Sequence, residues 1–134
     1  MIDFQNEIFT KVATAVRSQH EGATVTGEYT RRPSKFPTVT LDEVENVTVG
    51  SLVDSSDNEK FSGVTYRLQV FSNKVGGKKA EAREIFATAD SVMLGLGFRR
   101  ITYAPTPEIY ESTIYSITAT YEAVIGANGY VYKR

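Results

Sequence analysis

The chain has 134 residues, long enough for one domain that buries roughly 65–70% of its unfolded surface, and its 41% hydrophobic and 23% charged fractions are those of an ordinary globular protein. A formal net charge of -1 supplies no pull toward nucleic acid or an anionic membrane, and the absence of cysteine excludes disulfides and thiolate metal sites. The start, MIDFQNEIF, lacks the basic stretch and apolar run of a secretory signal, and no segment approaches the ~20 apolar residues of a membrane span, so the expectation is a soluble protein acting in a cytoplasm.

Phe4, Ile8, Val12 and Val16 recur at steps of four, with Phe9 and Ala13 widening the stripe, and predict a helix over residues 3 to 19. Asp3 is its expected N-cap and Gly22 its stop. Ala23 to Tyr29 is a short β-rich run with Gly27 as a candidate bulge. Arg31 to Pro37 contains two prolines and reads as an extended connector. Thr38 to Val44 reads as a strand, Val39 and Leu41 on one face, Thr38, Thr40 and Asp42 on the other. Glu45 to Lys60 is the least patterned stretch, with a polar tip from Ser55 to Glu59, and is expected to be a long hairpin arm or loop.

Val64, Tyr66, Leu68 and Val70 then alternate with Thr65, Arg67 and Gln69, which predicts a strand with one apolar face. Ala82, Ile85, Phe86, Ala89, Val92 and Met93 form the stripe of a second helix closed by Gly95 and Gly97. Phe98 to Tyr103 is strand-like, with Arg99, Ile101 and Tyr103 expected on one side and Phe98, Arg100 and Thr102 on the other. Ala104-Pro105-Thr106-Pro107 reads as a turn. The longest strand signal follows, with Tyr115, Ile117, Ala119, Tyr121, Ala123 and Ile125 on one face. Gly126 to Gly129 is a turn signal, after which Tyr130 to Lys133 folds back as a short strand or remains a tail. Together these elements predict a single α+β domain: a mostly antiparallel or mixed sheet, two helices packed on one face, and a long hairpin arm between strands.

No stretch carries the spacing of a catalytic or ligand motif. His20 is the only histidine, and its place at a helix end suits a cation completing the dipole. Gly76-Gly77-Lys78-Lys79 fails the phosphate-loop pattern, since Lys79 stands where a hydroxyl is required, and reads as a strand-to-helix turn with solvated lysines. Asp54, Asp57, Asn58 and Glu59 do not match a calcium loop, and Asp42, Glu43 and Glu45 read as a solvated strand end. No catalytic residue, metal or cofactor is therefore expected. The surplus of tyrosine toward the C-terminus instead suits a protein that meets other proteins.

The blocks IDFQNEIFTKV, GEYTRRPSKFPTVTLDEVEN, YRLQVFSNKVGGKKAEAREIFATADSVMLGLGFRR and TIYSITATYEAVIGANGYVYKR resemble, in order and over nearly the whole chain, small tail proteins of long-tailed bacteriophages infecting Gram-positive bacteria. These are of the tail-completion or tail-terminator type. The resemblance implies a sheet with helices on one face and assembly into a homo-oligomeric ring, usually hexameric, on the head-proximal end of the tail tube. It implies the major tail tube protein and the head connector or head-completion protein as partners, no membrane and no specific nucleic-acid binding. The virion tail, reached through the host cytoplasm, is the implied location. A head-closure or connector-associated protein is the alternative within the virion, and a small hydrolase or nucleic-acid-binding module the alternative outside it. Expected contact residues, chosen because their segments lack a core pattern, are Arg31, Arg32 and Lys35 in the connector, Asp54, Asp57, Glu59 and Lys60 in the arm, and Tyr130 and Tyr132 at the end.

Overall fold

A computed structural model describes residues 3–30, 33–48, 61–107, 113–126 and 131–132. The elements in chain order are α1 (Gln5–Gln19), β1 (Thr24–Thr26), β2 (Thr38–Thr48), β3 (Phe61–Ser72), α2 (Lys78–Gly95), β4 (Arg99–Pro107), β5 (Tyr115–Gly126) and β6 (Val131–Tyr132). The strands form one mixed sheet in the order β1-β2-β3-β5-β4, with both helices packed against it, so the α+β class read from the sequence is correct.

The core follows from the alternation. Val64, Tyr66, Leu68 and Val70 of β3 stand opposite Ala123, Tyr121, Ala119 and Ile117 of β5, and all eight are buried. Val39 and Leu41 of β2 extend this surface. Onto it pack Ile8, Val12, Ala13 and Val16 of α1 and Ala82, Ile85, Phe86, Ala89 and Met93 of α2. Each fully buried large apolar side chain contributes about 1.5–3 kcal/mol, so these two stripes dominate the stability. The exact cap of α1 falls at Phe4, one residue later than expected, although the Asp3 carboxylate accepts the Gln5 N–H at 3.0 Å.

α2 ends in a Schellman motif. The Phe98 N–H reaches the Met93 carbonyl at 3.1 Å and the Gly97 N–H the Leu94 carbonyl at 3.0 Å. Gly97 has φ 100°, a conformation that glycine adopts without the Cβ penalty. The motif aims Phe98 under the sheet, where its ring meets Tyr66 edge-on at 5.4 Å.

Two sequence expectations are corrected. Ala104 to Pro107 is not a turn: β4 runs through it to Pro107, with Pro105 opposite Ile117 and Pro107 opposite Tyr115. β4 is an edge strand, where a residue without an N–H costs no ladder bond on the open side. The faces of β4 also differ from a simple alternation. A bulge between Arg100 and Thr102 puts Arg100 opposite Tyr121 and Tyr103 opposite Ala119, both on the helix side. The face away from the helices is partly covered as well, since Thr40, Gln69, Phe71 and Ser116 on it are buried.

The connector after β1 explains part of that burial. β1 pairs with β2 in parallel, and Tyr29 in the connector lies over the Arg67 guanidinium, 4.0 Å from centre to charge. Arg67 points away from the helices, so the connector crosses the opposite face. Beyond Glu43 a second bulge shifts the register of β2, which continues to Thr48 opposite Ser62. The expected hairpin arm therefore begins as paired strand, and the rest of it, residues 49–60 with the expected polar tip from Ser55 to Glu59, lies outside the described residues. β6 pairs with β5 through Val124↔Tyr132 and Ile125↔Val131, the short returning strand of the two options left open by the sequence.

Candidate functional site

Of the residues expected to make contacts, Arg31, Arg32, Asp54, Asp57, Glu59, Lys60 and Tyr130 lie outside the described residues. Lys35 is exposed in the bend before β2, where its carbonyl accepts the Thr38 hydroxyl. Tyr132 sits in β6 opposite Val124. The described members are thus placed on separate elements and form no common site.

The side chains that do converge fall into four groups. Asp90 of α2 accepts the Tyr121 hydroxyl at 2.6 Å and both of its oxygens take Arg100 Nη1 at 2.9 Å. This ties the helix to β5 and β4 at once. Burial, and then the hydrogen bond to Asp90, push the Tyr121 hydroxyl far above its usual range, while the same carboxylate raises Arg100 further. Tyr121 is fully buried, and through this group its hydroxyl anchors β5 to α2.

At the other end of α1, His20 Nε2 and Thr88 Oγ1 are paired at 2.7 Å, which joins the two helices. The helix-end place read for His20 is correct, since it is the C-cap of α1. No serine or carboxylate is paired with its ring among the described residues.

Glu43, Asp3 and Glu7 crowd around Tyr66 near the start of α1. Glu43 Oε1 is buried without a hydrogen-bond partner among the described residues. Burial, opposed by a hydrogen bond with Asn46 and helped by the charge of Asp3, raises the Glu43 carboxyl above its ordinary value of 4.5. Burial and the Glu43 charge likewise raise Tyr66 far above its usual range. Among the described residues, no group of three or more His, Cys, Asp or Glu could hold a metal ion.

The fourth group is a wide cleft of about 950 Å³ at the β3–α2 junction. Lys74, Lys78, Lys79 and Arg83 line it, with Val75 at its lip, 99% exposed. Gly76, with φ 76°, turns the chain so that Lys74 faces the first turns of α2 across the cleft. The Gly-Gly-Lys-Lys turn expected from the sequence is present, but its lysines belong to a shared concave surface rather than standing apart. Lys79 and Arg83 are four residues apart on one helix face, the one sequence signal that pointed to this grouping.

Two exposed regions complete the survey. The β4 edge shows Ile101 and Tyr103, the latter edge-on to Phe86 at 5.0 Å. Its bulge and its two prolines are devices that discourage further strand pairing. Val44 and Val47 are exposed where β2 runs toward the arm. No protein-family model matches the chain, and no curated protein matches it.

Proposed function

We propose that the chain is a structural virion protein of a phage tail, a terminator that forms a ring on the head-proximal end of the tail tube. There it stops tube growth and presents the surface that the head connector meets. The observation that carries the reading is the architecture: two helices on one face of a mixed sheet, as the resemblance implies, with β2 and β3 paired antiparallel out to Thr48 and Ser62. The convergent polar groups support it from another side. Asp90–Tyr121–Arg100 and His20–Thr88 each tie one element to another, which is scaffold work. The recognition surface is left to the ends of the sheet and the loops. No cofactor enters this role, and the partners are further copies of the chain, the tube protein and the head connector.

The test is electron microscopy of gold-labelled protein mixed with tail tubes and, separately, with filled heads. Labelling at one end of each tube and none on free heads is the expected result. Protein that binds filled heads and ignores tubes would replace this role with head closure.

A further inference from the structure

No further inference is drawn: the strongest candidate, the β4 edge strand with its exposed Ile101 and Tyr103, carries nothing, because nothing in the structure shows what covers it.

Discussion

On the helix side of the sheet, Val39, Leu41, Val64, Leu68, Val70, Ile117 and Ile125 are buried against two apolar helix stripes. On the other side burial is achieved with polar pairs: Thr40 Oγ1 donates to Gln69 Oε1 at 2.7 Å, and Arg67 Nη2 to Asp42 Oδ2 at 2.8 Å under the Tyr29 ring. The first face supplies most of the free energy, because transfer of apolar surface is large and needs no directional match. The second supplies register. A one-residue slip of β2 against β3 would break both pairs and send Val39 and Leu41 to the wrong face.

The largest expected effect is on the helix face. Leu68→Ala, at a fully buried site in a central strand, should cost about 2–5 kcal/mol in urea unfolding. Asp90→Ala probes the polar exception on that face and should cost about 1–3 kcal/mol, since the buried Tyr121 hydroxyl loses its acceptor. Tyr121→Phe should cost less than Asp90→Ala, because it removes the donor along with the bond. On the other face Thr40→Val and Gln69→Leu should each cost about 1–2 kcal/mol, while the double variant should fall below their sum in the same titration. Additive costs would mean that the pair contributes through packing alone and would erase the contrast between the faces.

The smallest effect concerns pH. The Glu43 carboxyl is raised in the fold, so its contribution is fully present below about pH 4.5 and is lost as pH rises through the folded value. Glu43→Gln should therefore raise the melting temperature slightly at pH 7 and leave it unchanged at acid pH. A lower melting temperature at neutral pH would show that the carboxylate has a stabilising partner.

How much of this was legible in the sequence varies with the range of the interaction. The β3 and β5 alternations and both helix stripes are local patterns, and they gave the core directly. The β4 bulge was invisible, since FRRITY alternates equally well in either phase and only the partner strand decides between them. The prolines of β4 were misleading for the same reason: proline reads as a break unless the strand is known to lie at an edge. Asp90, Arg100 and Tyr121 are spread over 32 residues of sequence, and no local signal joins them. The cationic cleft was half legible, with its Lys79–Arg83 spacing plain and the approach of Lys74 dependent on the Gly76 turn.

Mass photometry of the purified chain across a salt series tests the central proposal, assembly into a closed ring, most directly. The proposal predicts one discrete closed oligomer under at least one of these conditions. A monomer at every salt concentration, or an open-ended ladder of sizes, would contradict it.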